Sequence, residues 1–329
     1  MIVVTGAAGH LGNVLIRELL RSGEKIRALI LPGEDIISLQ GLEIEKVEGN
    51  VLDPDSLRKA FRGADTVFHC AGIISIIPGQ QKQLFQVNVL GTRNVVNICM
   101  EEKVKRLVHI SSIHALSDPE KGVVITEERS FDPENVLGDY SRTKALGSLE
   151  VLKGVENGLD AVIVCPSGII GPYDYRLSEM GNLIVSYTNR KLKAYIEGAY
   201  DFVDVRDVAE GIILANGKGK KGECYILSGQ QISVVDILKY LEEISGIKAP
   251  SIKIPYQIAK MFGFFNAYYC RMFKTKPLFT PYSIDVLLSN SVFSNQKAKE
   301  NLGYNPRSIY KSISDSLQWF KETGMLRNR

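Results

Sequence analysis

The feature that most constrains this chain is the glycine loop Thr5-Gly-Ala-Ala-Gly-His-Leu-Gly12. It lies between the apolar run Ile2-Val3-Val4 and a stretch with helical spacing, Val14, Leu15, Leu19 and Leu20. Gly6, Gly9 and Gly12 therefore sit on a strand-to-helix turn, with His10 and Leu11 at the helix start. Without side chains the backbone can turn tightly and approach a pyrophosphate, whose charge is stabilised by free amides and the positive end of the helix dipole. Alone, such a loop is a common pattern.

A second motif, Tyr140-Ser-Arg-Thr-Lys144, supplies what a binding loop lacks. A Tyr and a Lys four residues apart share one helix face, so the Lys144 ammonium can stabilise the Tyr140 phenolate. An unassisted phenol, with a reference pKa of about 10, is a poor base at neutral pH. A neighbouring cation lowers it, as does the positive charge of an oxidised nicotinamide. The substrate oxygen also needs a hydroxyl donor, and the run Leu107-Val108-His109-Ile110-Ser111-Ser112 offers two at a strand end. Side chains alternate along a strand, so one serine faces the site. Ser112 is the choice, and Ser111 takes its place if the register shifts by one.

With these motifs in this order, the chain resembles an extended short-chain dehydrogenase/reductase over nearly its whole length. It has the family's TGxxGxxG, an Ala71-Gly72 pair after the fourth strand, Asn88-Val-Leu-Gly-Thr-Arg-Asn94, the serine pair and YxxxK. The resemblance implies that Ser112 polarises the substrate carbonyl or alcohol and that Tyr140 transfers the proton. Lys144 would lower the tyrosine pKa and bind the nicotinamide ribose, and Asn88 would support the active-site backbone and its water. Ala71, Gly72 and the segment Pro166-Ser167-Gly168 would border the cofactor. Homodimerisation through the helices of residues 83–102 and 140–157 is a further implication.

Strands are expected at 2–5, 25–31, 44–48, 65–70, 106–111 and 160–165, with helices between them. This alternation predicts an α/β fold, a Rossmann-type doubly wound parallel sheet with a smaller C-terminal mixed α/β substrate lobe. Residues 1–166 form the dinucleotide-binding domain, to which 199–216 return, and 167–329 form mainly the substrate lobe. Asp53-Pro54-Asp55 reads as a helix N-cap rather than a ligand. In the family an Asp and an apolar residue contact adenine after the third strand; the aligned pair here is Asn50-Val51. At the end of the second strand, where a carboxylate grips the ribose or an arginine takes a 2′-phosphate, stands Leu31. Glu34 and Asp35 follow, which leans the cofactor reading, NAD or NADP, toward NAD.

With 329 residues and 45% hydrophobic composition, the chain can bury a large core. Forty basic against thirty-seven acidic residues, a net charge of +3, give no reason to expect nucleic acid. Five scattered cysteines, at 70, 99, 165, 224 and 270, lack disulfide or metal-ligand spacing and suit a cytoplasmic protein. No metal is expected, since Asp204 and Asp207 read as caps. The segment 254–273 contains Gln257, Lys260, Asn266 and Arg271, which argues against a spanning helix. Its aromatic residues leave lid, core or peripheral membrane contact open.

Departures from related branches narrow the substrate. Sugar-nucleotide dehydratases place Asp-Glu after the active-site hydroxyl, where this chain has Ile113-His114. Sugar-nucleotide epimerases commonly carry an Arg before the Asp-Phe-Val strand to bind diphosphate, and here Tyr200 stands there. What remains resembles the dihydroflavonol-reductase and 3β-hydroxysteroid-dehydrogenase branch. That implies hydride transfer to or from a secondary alcohol or carbonyl of an apolar small molecule. Ile73, Ser75, Ile113, His114 and Tyr187 are the candidate substrate contacts. Two alternatives stay open: a nucleotide-sugar epimerase with retained NAD, and a non-catalytic dinucleotide-binding redox sensor.

Overall fold

The computed structural model describes residues 1–74, 79–117, 122–128, 130–261, 285, 287 and 291–326. Strands are β1 Ile2–Thr5, β2 Ile26–Ile30, β3 Glu45–Glu48, β4 Thr66–His69, β5 Arg106–Ile110, β6 Ala161–Pro166 and β7 Gly168–Ile170. They continue with β8 Ala194–Tyr195, β9 Ala199–Asp204, β10 Cys224–Leu227, β11 Gln230–Ser233 and β12 Ile252–Lys253. The helices that position the site are α1 His10–Arg21, α2 Pro54–Phe61, α3 Gln81–Phe85, α4 Thr92–Glu101, α5 Gly138–Glu156, α6 Glu179–Thr188, α7 Val205–Lys218 and α8 Val234–Ser245.

Seven strands pair in parallel in the order β10-β6-β5-β4-β1-β2-β3. Strand alternation divides the apolar residues between two layers. Val3 and Leu107 face the core under α2, α4 and α5, whereas Val4, Val108 and Ile110 face the core under α1 and α7. Burial on both faces is why these strands read as continuous apolar runs. The edge strand β3, Glu-Lys-Val-Glu, is charged and largely exposed, as suits an unpaired sheet edge.

The six expected strands are present, and a seventh, Cys224–Leu227, joins the sheet beside β6. Residues 199–204, expected to return to the dinucleotide-binding domain, instead lie in a separate three-stranded sheet, β11-β9-β7. The helix that follows, α7, packs against α1. Asp53 caps α2 by accepting from the Asp55 amide, with Pro54 at the first helical position.

Candidate active site

The sheet order reverses between β1 and β4, the point at which doubly wound sheets take a ligand beyond the carboxyl ends of their strands. Gly6 occupies the left-handed region at φ 65°, and a Cβ there would stand 2.6 Å from the Ala71 amide nitrogen. A Cβ at Gly12 would run into the Gly6 carbonyl. Gly9 is the N-cap of α1 and provides no side-chain cap, so the first-turn amides of His10, Leu11 and Gly12 are left to a ligand or solvent. The His10 ring meets the Pro172 carbonyl at 2.9 Å, and Asn13 Nδ2 donates to Gly9 O, His10 O and Tyr173 O. The loop is thereby tied to the segment after β7.

A directed chain of hydrogen bonds links this cradle to Asn88. The Ala71 amide donates to Thr5 Oγ1 at 3.2 Å, and Thr5 Oγ1 lies 2.8 Å from His69 Nδ1. His69 Nε2 lies 3.1 Å from Thr92 Oγ1, whose proton goes to the Asn88 carbonyl at 2.8 Å. Because Thr92 spends its only proton on Asn88, it accepts from His69, and His69 in turn accepts from Thr5. That fixes the Nε2–H tautomer. Burial, with the nearby Lys144 charge, pushes His69 down to about 3, so the ring is neutral.

Asn88 stands in a π-helical turn, Gln86–Gly91, between α3 and α4, a distortion frequent at functional sites. Its Oδ1 accepts from Ile73 N at 2.8 Å, and its Nδ2 donates to Ile73 O at 3.0 Å and Thr143 Oγ1 at 3.1 Å. The side chain therefore clamps the loop after β4 onto α5. Gly147 lets α5 approach this turn, since a Cβ there would meet the Asn88 carbonyl.

The two serines at the end of β5 diverge. Ser111 Oγ lies 2.6 Å from Ser148 Oγ, which donates to Lys144 O, so Ser111 is held beneath α5. Ser112 caps a short 3-10 turn, Ile113–Ala115, its hydroxyl accepting from the His114 amide at 3.2 Å. Tyr140, in the first turn of α5, is half-buried. Its ring meets the His114 ring edge-on, centroids 6.2 Å apart. One turn on, Lys144 is buried and donates to the Ile110 carbonyl at 2.6 Å. Burial lowers its pKa to about 8, partly offset by Cys165 and Cys70, so it keeps its proton at neutral pH.

Elsewhere the structure adjusts the expected contacts. Leu31 is exposed, and its amide donates to Glu34 Oε2 at 3.1 Å. Arg176, a residue that no local pattern marks, reaches across to Glu34 Oε1 at 2.9 Å. Asn50 Oδ1 accepts from the Leu52 amide, and Val51 is buried against Gly91. Beside Pro166, the buried Ser167 hydroxyl makes no well-aligned hydrogen bond among the described residues, though it lies near Asp201. Burial pushes the Asp201 carboxyl up to about 6 against the opposing Ser167 hydroxyl and Gly229 amide. Gly168 packs on the Phe202 ring.

Two expected substrate contacts are corrected. Ile113 is a core residue, 2% exposed, and Tyr187 is equally buried with its hydroxyl donating to the Ile247 carbonyl. Neither offers a group to a ligand. Ile73 is half-buried and held by Asn88. Ser75, like most of the aromatic part of 254–273, lies outside the described residues. Asp204 caps α7 and pairs with Arg206, and Asp207 pairs with Arg307. Among the described residues, no group of three or more His, Cys, Asp or Glu could hold a metal ion, and no helix is long and apolar enough to cross a membrane.

Residues 2–228 match the model of the NAD dependent epimerase/dehydratase family. The chain belongs to that family. As an extended short-chain dehydrogenase/reductase it is an NAD(P)-dependent oxidoreductase, and the glycine cradle fits the cofactor where a Cβ would fill the space. Sterol demethylase protein B of Methylococcus capsulatus is 36% identical, covering 98% of this chain and 99% of its own. A putative dihydroflavonol 4-reductase of Synechocystis is 31% identical, covering 99% and 96%. The solved structure described as gox2253 is 32% identical and superposes with a TM-score of 0.87, covering 99% of each chain. A UDP-glucose 4-epimerase of Thermotoga maritima superposes at 0.81 over 98% of this chain and 99% of its own, at 18% identity, a likeness of fold alone.

Proposed function

We propose that this family member interconverts a secondary alcohol and a carbonyl on an apolar, steroid-, flavonoid- or aldehyde-like substrate, with Ser112, Tyr140 and Lys144 as its reacting residues. One observation carries the reading. Helix α5 presents Tyr140 half-buried beside His114 and sinks Lys144 one turn further on, against the end of the strand that bears Ser112. The names of the sterol demethylase and dihydroflavonol reductase relatives support the substrate class.

When bound, the nicotinamide supplies or takes up the hydride. Ser112 holds the substrate oxygen by hydrogen bond. Tyr140 gives that oxygen its proton on reduction and takes it back on oxidation. Lys144, charged and buried, favours the phenolate, and its remaining protons would be offered to the ribose hydroxyls of a bound cofactor. Asn88 keeps the loop of Ile73 in place rather than contacting the reacting atoms.

Gly6, Gly9, His10, Leu11 and Gly12 would hold the pyrophosphate through their backbone. Leu31 and the Glu34–Arg176 pair would flank the adenosine ribose, Asn50 and Val51 the adenine. Ala71, Gly72, Pro166, Ser167 and Gly168 would line the nicotinamide side. We infer that the substrate is held mainly by the lobe of residues 167–329. We also infer that the enzyme works in the cytoplasm as a homodimer through the helices of residues 83–102 and 140–157, which sedimentation would test.

The deciding experiment measures binding of NAD(H) and NADP(H) by calorimetry and follows cofactor redox state during challenge with hydroxysteroids, flavonoid ketones, aldehydes and nucleotide sugars. Exchangeable cofactor with net conversion of an apolar alcohol or ketone supports the proposal. Retained cofactor with turnover of nucleotide sugars alone overturns it.

A further inference from the structure

The position before Asp-Phe-Val is the start of an unexpected contact. Tyr200 is buried at 7% exposure, and its hydroxyl lies 2.6 Å from His114 Nε2, across 86 residues of sequence. The rings stack with centroids 5.8 Å apart at 17°, and Tyr200 packs in turn on Phe202. His114 is thus stacked on Tyr200 and meets the Tyr140 ring in an edge-to-face arrangement. Its backbone is fixed as well, because its amide donates to Ser112 Oγ. One residue therefore contacts both groups to which the chemistry is assigned, Ser112 through its backbone amide and Tyr140 through its ring.

We infer that the His114–Tyr200 pair is a substrate-positioning element that binds a second, carbonyl-type oxygen on a carbon close to the reacting one. The inference rests on the proposed alcohol/carbonyl chemistry at Tyr140. Burial pushes His114 down to about 4, so its ring is neutral at neutral pH. A phenol is the stronger acid and an imidazole nitrogen the stronger base, so the Tyr200 hydroxyl donates to Nε2. The remaining proton then sits on Nδ1. Nδ1 has no partner among the hydrogen bonds of the described residues, and the largely buried residue keeps part of its surface exposed. A fixed, neutral N–H beside Tyr140 suits a ketone, ester or carboxylate oxygen near the carbinol. An arginine at position 200 would instead bring a full charge for a diphosphate. Selection at this point is thereby shifted from phosphates to carbonyl-type oxygens.

The test uses the full-length enzyme with cofactor bound and two probes, a cyclic β-keto ester and the matching cyclic ketone without the ester. Wild type should bind and reduce the keto ester with a KM roughly tenfold lower, as expected for one well-placed hydrogen bond. His114→Ala should remove that difference by raising KM for the keto ester alone, with kcat within about threefold of wild type. His114→Asn, whose side-chain amide can reproduce the Nδ1 donor, should restore it, and Tyr200→Phe should lose part of it. Equal loss on both probes, a fall in kcat alone, or failure of wild type to discriminate, including failure to bind either probe, overturns the inference. Full turnover in Tyr140→Phe would instead strike at the underlying alcohol/carbonyl reading, so the two failures are distinguishable.

Discussion

Lys144 reaches the Ile110 carbonyl at 2.6 Å, pinning the middle of α5 to the last residue of β5. The bond places a buried ammonium under Tyr140 and next to the residue that precedes the serine pair. Burial holds its pKa near 8 rather than the ordinary 10.5, and this has a consequence for stability. Below pH 8 the folded and unfolded chains both carry the proton, and the folded state bears the whole burial penalty. Between about 8 and 10.5 the folded state has released it while the unfolded state still holds it, so stability rises with pH there.

Lys144→Met should therefore match wild type or exceed it by up to about 3 kcal/mol at pH 7, and should lack the alkaline rise. Urea unfolding of the unliganded proteins at pH 7 and pH 9.5 checks this. A wild-type curve parallel to that of the variant would show that burial of this charge does not weigh on the fold. The same variant should have almost no turnover.

Tyr140→Phe should keep the cofactor affinity of the parent and lose turnover roughly a hundred- to ten-thousand-fold. Calorimetry and steady-state rates on the same preparation give both numbers. Turnover like that of wild type would remove Tyr140 from proton transfer.

The glycine loop makes a contrast between two neighbours. Gly9 lies at φ −70° with a Cβ position 3.2 Å from Gly6 O, so Gly9→Ala should fold with a small adjustment and cover the phosphate approach. Cofactor affinity should fall by about tenfold or more, about 1.4 kcal/mol, with melting temperature little changed. Gly6→Ala forces a side chain at φ 65° into the Ala71 backbone and should destabilise by about 1–3 kcal/mol before binding is considered. Unchanged affinity in a folded Gly9→Ala protein would reject the loop as the pyrophosphate site.

Arg176 balances Glu34 at the end of β2. Removing it in Arg176→Ala leaves an unopposed carboxylate near the ribose and should raise the ratio of kcat/KM for NAD over NADP several-fold. A ratio that stays put in both this variant and Glu34→Gln would separate the pair from cofactor choice.

The sequence alone determined the parts that local physics governs. The strand-loop-helix of residues 2–21, six sheet strands and the Asp53 cap follow from apolar periodicity, glycine and proline placement, and a side chain bonding its own helix start. The pairing of Tyr140 with Lys144 follows from the helical repeat. Tertiary structure decided what depends on partners far along the chain. Ser111 is taken by Ser148, Glu34 meets Arg176 142 residues later, and His114 meets Tyr200. Strand β10 joins the sheet only because β6 offers it an edge. Tyr187 and Ile113 read as ligand contacts in one dimension and are core in three. The physical reason is common to all of these: backbone preference acts over a few neighbouring residues, whereas the direction in which a buried polar group points is set by whichever distant segment packs against it.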